Sequence, residues 1–445
     1  MSTLGNKVYI LGAGVTGLAA GLASGFPVFE AKDHPGGICS SYYLRPGDNV
    51  RLYRPPKDGN AYRFEIGGGH WIFGVDSLLL HFLNAITPVE FHSRKSSVYF
   101  LDRNLFAPYP LQNHLQYLGP EIAVQALCEM AEALDTKRPM VTMADWLRAN
   151  FGPTLCREFF EPFHELYTAG LYKHIAPQDP YKSPVDFTLA IKGAFQKVPP
   201  VGYNVNFAYP KEGLDVLILG MANQCEIHYE KSVVRIDVKD KAIHFEDGSA
   251  VKYTGVLSTL PLNKVMNLTR LEVDEKPDPS TSVLVINIGA LKGPNCPDGH
   301  WVYIPKSKAG FHRVGFYSHV DLSFLPLWVR KENNRVSVYV EKAYLEGQKP
   351  DEKELQNLCE AIVKELQEWG WIGEIEVLDP TWVEVAYTWS WSGSKWREKA
   401  LKLLEQHNIY QVGRFARWSF QGIAESIREG ITAGGLMKHE TKFEN

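Results

Sequence analysis

The sequence has little cysteine for its length of 445 residues, and its six cysteines are widely scattered. No two of them have the close spacing that is typical of a disulfide framework or of a thiolate metal site. Reduced thiols are typical of cytoplasmic proteins, so we predict a cytoplasmic protein without a bound metal. The cysteines are Cys39, Cys128, Cys156, Cys225, Cys296 and Cys359.

The sequence also lacks an excess of charge of one sign and any long apolar run. There are 47 Lys and Arg against 51 Asp and Glu, and no basic run stands out. This balance offers no field that would attract nucleic acid. No apolar run approaches the roughly 18 residues of a membrane span, and the polar lead from Met1 leaves no room for a signal peptide. We therefore predict a soluble protein with no nucleic-acid partner and no membrane partner.

One stretch near the start organises the rest of the chain. Apolar residues 8–11 precede Gly12, Gly14 and Gly17, and the small-residue segment 18–23 follows them. This order predicts a strand, a tight turn and the start of a helix. Gly12 would allow the turn, Gly14 would let backbone amides approach a pyrophosphate, and Gly17 would permit close packing of helix on strand. The helix N terminus would face the phosphates with its dipole and free amides, which indicates a dinucleotide site.

Two later features bear on which dinucleotide is bound. Glu30 comes 18 residues after Gly12, at the end of a second short strand, where a carboxylate can accept both hydroxyls of an adenosine ribose. Gly36 and Gly37 follow, with Ser41 shortly after them. A chain that crosses the cofactor phosphates twice needs small residues at the second crossing, so this pair favours FAD over NAD. An ordinary loop after the second strand is the alternative interpretation.

The pattern along the chain predicts an α/β fold with a Rossmann-like FAD-binding domain, a helical subdomain and an antiparallel β-sheet domain. Apolar residues recur at helical spacing between 114 and 173, and later segments alternate as half-buried antiparallel strands do. The fingerprint and the last strand lie more than 390 residues apart, so the FAD-binding domain is discontinuous in sequence. The predicted bounds are 1–97, 205–260 and 409–445 for the FAD-binding domain, 110–200 for the helical subdomain, and 98–109 with 261–408 for the sheet domain.

Five motifs follow one another along nearly the whole chain. They are the fingerprint with its acid and second glycine pair, then residues 68–73 (GGHWIF), 109–113 (YPLQN), 311–313 (FHR) and 413–418 (GRFARW). Their order resembles that of the UDP-galactopyranose mutases, FAD-dependent members of an amine-oxidase-like superfamily. The fingerprint is shared with amine oxidases and protoporphyrinogen oxidases, so the resemblance to the mutases rests on the later motifs.

This resemblance implies a flavoprotein isomerase that interconverts the pyranose and furanose forms of a nucleotide-diphosphate sugar, UDP-galactopyranose or a relative. In that family the reduced flavin attacks the anomeric carbon through N5, expels the nucleoside diphosphate and forms a covalent N5-flavin-sugar adduct, without net electron transfer. The implied cofactor is reduced FAD, with NAD(P)H as external reductant. The implied partner is the nucleotide sugar, and the chain would act as a monomer or homo-oligomer.

The resemblance also implies roles for single residues. His70 resembles the histidine beside the flavin, Arg313 the arginine that grips the diphosphate, and Arg414 the arginine that contacts the flavin pyrophosphate and shapes the site. A structural His70, a solvent-facing Arg313 and an Arg414 paired with an interior acid are the alternatives to these three catalytic roles. The predicted substrate residues are Asn204, Arg313, Tyr387 and Phe420. The predicted cofactor residues are Gly12, Gly14, Gly17, Glu30, Gly36, Gly37, Ser41, Gly68, Gly69, Gln112, Gly413, Glu425 and Ser426.

The sequence departs from the family at two places. Phe420 stands where the family carries a tyrosine whose hydroxyl binds the diphosphate, and Phe187 and Lys192 replace the usual uracil-stacking tryptophan and phosphate-binding arginine. These changes leave the FAD site intact but weaken the case for UDP-galactose itself, so the chain resembles a divergent member. The alternative is an FAD-dependent oxidase or dehydrogenase of the amine oxidase or protoporphyrinogen oxidase type, whose amine or polyene substrate needs no cations. A flavin-binding scaffold without catalysis is a third hypothesis.

Overall fold

The computed structural model describes residues 7–135, 140–178, 185–199 and 204–443. These segments fold into a mixed α/β structure, which confirms the predicted fold class. The helices of the described segments are Val15–Ser24, Ser77–Ile86, Pro120–Asp135, Met143–Leu155, Glu161–Tyr167, Phe187–Phe195, Leu214–Ala222, Leu262–Thr269, Glu352–Glu368, Trp396–Glu405 and Ile423–Phe443.

A parallel sheet of five short strands carries the N-terminal stretch. Strand Val8–Leu11 lies in its middle and pairs with Val28–Phe29 on one side and Gly255–Ser258 on the other. Because the carboxyl ends of parallel strands meet at one edge, the residues that follow these strands come together there. Helix Val15–Ser24 starts from that edge and packs along the last helix, Ile423–Phe443. The strand order is Ile227–His228, Val28–Phe29, Val8–Leu11, Gly255–Ser258 and Ile409–Gln411.

A larger sheet of seven strands forms the second layer. Its neighbouring strands are antiparallel, except that Trp301–Tyr303 pairs in parallel with Ser96–Phe100. Val338 and Val340 alternate along one long strand and pack on the apolar face of helix Glu352–Glu368. The strand order is Ile372–Thr388, Ser280–Lys292, Arg335–Leu345, Arg313–Phe316, Trp301–Tyr303, Ser96–Phe100 and Leu105–Pro108. Smaller sheets pair Ser41–Leu44 with Tyr62–Glu65, Ile72–Phe73 and Val89–Ser93 with Asn206–Pro210, and Ala242–Phe245 with Val233–Asp237 and Ala250–Lys252.

Helices Pro120–Asp135, Met143–Leu155, Glu161–Tyr167 and Phe187–Phe195 form a helical unit, and Glu161–Tyr167 packs against the large sheet. The core of this unit includes Leu147, Phe151 and Phe160, all fully buried, with the rings of Phe151 and Phe160 stacked 4.1 Å apart. Phe163 and Tyr167 lie toward the large sheet, where the Phe163 ring meets Tyr303 at 5.3 Å. A cavity lies where these helices, the large sheet and the edge of the parallel sheet meet.

The packing differs from the predicted domain bounds at three places. The boundary between residues 97 and 98 falls inside strand Ser96–Phe100. Helices Leu262–Thr269 and Trp396–Glu405, predicted with the antiparallel sheet, instead bury Leu262 and Leu404 against the parallel sheet. The sequence of neither helix shows which sheet it packs against, because an amphipathic pattern indicates only that one face of the helix is buried. Within the described residues, no helix combines the length and apolar character needed to cross a lipid bilayer.

Candidate active site

The cavity has a volume of about 480 Å³ and extends from the edge of the parallel sheet to the helical segment. Most residues predicted for the site lie on its wall, although they come from segments scattered over the whole chain. Those that line the cavity are Gly12, Gly14, Glu30, Gly36, Gly37, Gly69, His70, Asn204, Arg313, Tyr387, Gly413, Arg414, Phe420 and Ser426.

The edge of the parallel sheet forms one end of the cavity. Gly12 has φ of +96°, which a residue with a side chain rarely adopts, and no side chain caps the helix that begins after Gly14. The amides of that first turn are therefore free to bind an anion. Glu30 is 8% exposed, and its carboxylate accepts the N–H groups of Ala13 at 2.7 Å and Lys32 at 3.0 Å. These bonds fix the carboxylate at the end of the second strand.

The second glycine pair lies directly against the first. Gly14 and Gly36 form an isolated parallel bridge, and the Gly36 N–H donates to the Ala13 carbonyl at 2.8 Å. Both Gly36 and Gly37 line the same cavity. Two glycine-rich crossings beside an uncapped helix N terminus and a fixed acid fit the pyrophosphate and ribose of FAD. The arrangement therefore supports the prediction of a flavin site at this end.

Two predicted cofactor residues, Gly17 and Gly68, support the cavity from behind. A Cβ at Gly17 would lie 1.9 Å from the carbonyl oxygen of Gly12, so its role is the packing of the helix on the turn. Gly68 has φ of +80°, and a Cβ there would lie 2.7 Å from a carboxylate oxygen of Glu341. Both glycines therefore allow other parts of the same chain, the Gly12 carbonyl and the Glu341 carboxylate, to approach the backbone closely.

Three other predicted cofactor residues also lie away from the cavity wall. Ser41 and Gln112 are 3% and 1% exposed and are packed inside the protein. Glu425 is exposed, and its carboxylate accepts the Gly422 N–H at 3.0 Å, close to the start of the last helix. Closeness in sequence to a wall residue does not fix the direction of a side chain, which explains the difference from the prediction.

His70 lies on the cavity wall in a loop that holds it firmly. Its Nδ1 lies 2.9 Å from the Gly68 carbonyl oxygen, and its backbone N–H donates to Glu65 at 3.0 Å. Burial lowers the pKa of His70 to about 4, so the ring is neutral at pH 7. A neutral ring that donates from Nδ1 presents Nε2 as an acceptor.

Glu65 connects this loop to a buried polar network that the sequence motifs did not indicate. It is fully buried, and besides the His70 amide it accepts the hydroxyl of Tyr209 at 2.6 Å. Tyr209 in turn accepts an N–H of buried Arg63 at 3.3 Å. Burial raises the pKa of Glu65 to about 8. An acid between the apolar residues Phe64 and Ile66 was the signal that could have identified it.

Glu65→Gln is expected to change how stability depends on pH. The raised pKa means that the folded state holds this proton more tightly than the unfolded chain, where the pKa is about 4.3. The stabilisation is complete below that value and is lost as pH rises through about 8. Between pH 5 and pH 9 the free energy of unfolding of the wild type should fall by up to about 4 kcal/mol relative to the variant. Denaturant unfolding at both pH values measures this, and parallel pH profiles would contradict it.

Arg313 lies on the wall beside its own counter-ion. It is paired across the large sheet with Glu341, and its Nη2 donates to that carboxylate at 2.5 Å. Burial opposes ionisation of Glu341, but the Arg313 guanidinium beside it lowers its pKa to about 2, so the carboxylate is charged at pH 7. The His312 ring lies 3.5 Å from the same carboxylate, and burial lowers the pKa of that ring. Arg313 is thus paired with an acid and still lines the cavity, and its predicted contact with a diphosphate stays a prediction.

Arg414 has the opposite environment. Its guanidinium donates to the carbonyls of Ala386 at 3.2 Å and Gln421 at 3.4 Å, and Nε makes no hydrogen bond. It lies 5.5 Å from the ring centre of Tyr387 and 4.8 Å from that of Phe420. Among the described residues no carboxylate pairs with it, in contrast to the interior acid considered from the sequence. No carboxylate of the described segments therefore offsets its charge at the cavity wall.

The far end of the cavity is aromatic. Tyr167 contacts Tyr387 at 4.8 Å and Trp389 at 5.5 Å between ring centres, and Trp146 and Phe163 also line this end. The aromatic stretch 387–396 predicts either a surface that stacks on a sugar or uracil or, as the default for its tryptophans, core packing, because apolarity alone does not distinguish a core from a cavity wall. Asn204 lies on the wall as well, and its side-chain oxygen accepts a hydrogen bond from Arg94.

Three known structures share this fold. A crystal structure of reduced UDP-galactopyranose mutase has 19% identity and a TM-score of 0.81, over 98% of this chain and 94% of that chain. A putative protoporphyrinogen oxidase from Exiguobacterium sp. 255-15 has 15% identity and a TM-score of 0.69, over 99% and 100%. Cyclohexylamine oxidase from Brevibacterium oxydans IH-35A has 12% identity and a TM-score of 0.61, over 98% and 100%. At these identities the likeness concerns the fold alone.

Sequence comparison identifies the family. No curated protein sequence gives a significant match. The profile of the family described as flavin containing amine oxidoreductase matches residues 18–433, which is most of the chain. The chain therefore belongs to the flavin containing amine oxidoreductases and is an FAD-dependent enzyme of the amine oxidase superfamily.

Proposed function

We propose that the enzyme is a mutase that interconverts the pyranose and furanose forms of a nucleotide-diphosphate sugar. The observation that carries this proposal is Arg414, a guanidinium on the cavity wall whose charge no described carboxylate compensates. Arg414 is only partly exposed, and a guanidinium that is partly withdrawn from water is costly to leave without a counter-charge, which a ligand can supply. The diphosphate of a nucleotide sugar would do so.

Arg414 also argues against an amine substrate. The faces of Tyr387, Phe415 and Phe420 lie 4.8 to 5.5 Å from the Arg414 guanidinium, so the protein's own cation already uses them. A substrate ammonium would lose these faces and would be repelled by the arginine. Aromatic surfaces alone would suit an amine, but aromatic surfaces around a fixed cation favour an anion.

Different residues of the chain would bind the cofactor and the substrate. The first helix turn and Glu30 would hold the pyrophosphate and ribose of FAD, and Arg414 the diphosphate of the substrate. Reduced FAD supplies the nucleophile that this chemistry needs, with NAD(P)H as the proposed external reductant. His70 would keep a neutral acceptor, Nε2, beside the reacting groups. Tyr167 and Trp389 would offer faces on which a nucleobase can stack.

One observation favours the second candidate, an oxidase or dehydrogenase. Arg313 is neutralised by Glu341, so the site has fewer uncompensated cations than the sequence indicated. An apolar or aromatic substrate could then fill the far end of the cavity. Oxidation of such a substrate by FAD would release hydrogen peroxide in air, which separates the two candidates.

Anaerobic incubation with nucleotide sugars tests the proposal. The dithionite-reduced enzyme is mixed with UDP-galactose, UDP-glucose, GDP-mannose and other hexose nucleotides, and the products are separated by liquid chromatography. We expect a new furanose peak with at least one sugar and none with the oxidised enzyme, because only reduced FAD can act as the nucleophile. No furanose with any sugar, together with peroxide formation from amines or polyenes in air, would replace the mutase by the oxidase. Reduction by NADH or NADPH, followed as loss of flavin absorbance, tests the reductant.

A further inference from the structure

The ion pair of Arg313 and Glu341 lies at the cavity wall, where it bears on the charge of the ligands that can bind. Both residues line the cavity, and the Arg313 side chain is 21% exposed while that of Glu341 is 2% exposed. Arg313 therefore reaches the ligand, and Glu341 lies behind it. The two occupy directly opposed positions on neighbouring antiparallel strands. A pair held by sheet register cannot easily separate to leave Arg313 alone.

The surroundings hold the carboxylate in place. A Cβ at Gly68 would come within 2.7 Å of Glu341 Oε1, so the carboxylate lies against the backbone of the loop that carries His70. On its other side, the ring of His312 lies 3.5 Å away and is only 1% exposed. Glu341 therefore has little room to move when a ligand binds.

The charges in the cavity follow from these contacts. Arg313 is positive, Glu341 is negative, and burial lowers the pKa of His312 so that its ring is neutral at pH 7. This part of the wall has N–H donors but no net charge. Arg414 supplies the uncompensated positive charge, and Tyr387 lies between the two arginines, with both acting on its hydroxyl.

We propose that Glu341 is a specificity-determining residue that makes the site select nucleotide sugars with a neutral, hydroxyl-bearing sugar over those with a carboxylate on the sugar. A hydroxyl accepts a hydrogen bond from Arg313 whether or not the pair is neutral. A sugar carboxylate would be attracted to Arg313, but the fixed Glu341 directly behind the guanidinium offsets much of that attraction, so the carboxylate gains little. This inference rests on the proposed function, since it assumes that the diphosphate binds at Arg414 and the sugar near Arg313.

Binding to the oxidised, FAD-containing enzyme tests the inference without turnover. Dissociation constants for UDP-glucose and UDP-glucuronate are measured by tryptophan fluorescence or by perturbation of the flavin spectrum. We expect the wild type to bind UDP-glucuronate no more tightly than UDP-glucose. In Glu341→Gln, which leaves Arg313 uncompensated, UDP-glucuronate should bind about tenfold or more tighter, while the affinity for UDP-glucose changes by less than about threefold. An unchanged ratio of the two affinities would overturn the inference.

Two further variants keep the test decisive. Arg313→Gln with Glu341→Gln removes both charges and should return the ratio to the wild-type value. Arg313→Met alone leaves the negative charge and should weaken UDP-glucuronate about tenfold relative to UDP-glucose, even if Glu341→Gln does not fold. A ratio that Arg313→Met leaves unaltered counts against the proposal.

Failure of the mutase proposal gives a different result. If neither UDP sugar binds to the wild type, the substrate is wrong and inorganic pyrophosphate becomes the probe. Glu341 still limits the charge of the cavity if Glu341→Gln binds pyrophosphate about tenfold more tightly than the wild type. Equal pyrophosphate affinities would reject the role of Glu341 as well.

Discussion

Gly17→Ala is expected to destabilise the protein by about 3 kcal/mol or more and to prevent it from retaining FAD. The added Cβ would lie 1.9 Å from the carbonyl oxygen of Gly12 and 3.1 Å from its carbonyl carbon. Neither atom can move away without opening the turn between strand Val8–Leu11 and helix Val15–Ser24. Gly12 already adopts φ of +96°, a conformation that only glycine takes readily, so the turn has little freedom to adjust.

Gly14→Ala is the matched control for this prediction. Gly14 has φ of −69°, which alanine adopts without strain, and no protein atom lies within 4 Å of an added Cβ. The free energy of unfolding measured without FAD should therefore change by less than about 0.5 kcal/mol. Gly14 lines the cavity, so the new methyl group would face the pyrophosphate and weaken FAD binding by about tenfold or more.

Denaturant unfolding of the apoprotein and FAD titration separate the two effects. Gly17→Ala should lower both the free energy of unfolding and the affinity for FAD. Gly14→Ala should lower the affinity for FAD alone. Equal unfolding free energies for wild type and Gly17→Ala would show that the turn relaxes, and would remove the packing role of this glycine. Unaltered FAD affinity in Gly14→Ala would place the pyrophosphate elsewhere.

The cofactor end of the site was predictable because its parts are close in sequence. Gly12, Gly14 and Glu30 flank two adjacent strands, so a local pattern of strand, turn, helix and acid fixes their relation. The position of Gly36 against Gly14 follows from the same short connection. Here local sequence determines local structure, and the prediction needed no knowledge of distant contacts.

The charge pattern of the site was not predictable for the converse reason. Arg313 and Glu341 are 28 residues apart and meet only through the register of two strands, which apolar alternation does not specify. The sequence therefore allowed a solvent-facing Arg313 and an Arg414 paired with an acid. The structure reverses the two environments: Arg313 has the acid, and Arg414 has carbonyl groups and aromatic rings.

The aromatic end of the cavity shows a third limit. Phe163 and Tyr167 recur at helical spacing like the core residues Leu147 and Phe151. Period and apolarity show that a helix face is covered but not whether protein or ligand covers it. The tertiary structure decides this, because the helices touch the large sheet at some positions and leave the cavity between them and the sheet at others.

Arg414→Met is expected to weaken binding of UDP to the oxidised enzyme by about 30-fold or more, which corresponds to about 2 kcal/mol. The variant removes the one cavity arginine that no described carboxylate compensates, while methionine keeps part of the packing against Tyr387 and Phe420. Uridine carries no phosphate, so its affinity should change by less than about threefold. The ratio of the UDP and uridine affinities therefore separates loss of the charge from a general loss of shape.

Arg417→Met is the control for removing an arginine from the same turn. Its side chain is 52% exposed, pairs with Glu429 at 3.2 Å and does not line the cavity, so UDP affinity should stay within about twofold of the wild type.

The sign of the Arg414→Met effect also decides between the two candidate functions. An amine substrate would bind more tightly once the repelling guanidinium is gone and the aromatic faces are free, so tighter binding of amines and unchanged binding of UDP would reject the mutase in favour of the oxidase. Weaker UDP binding with unaltered flavin content is what an anion site at Arg414 requires, because only a ligand with negative charge depends on this cation.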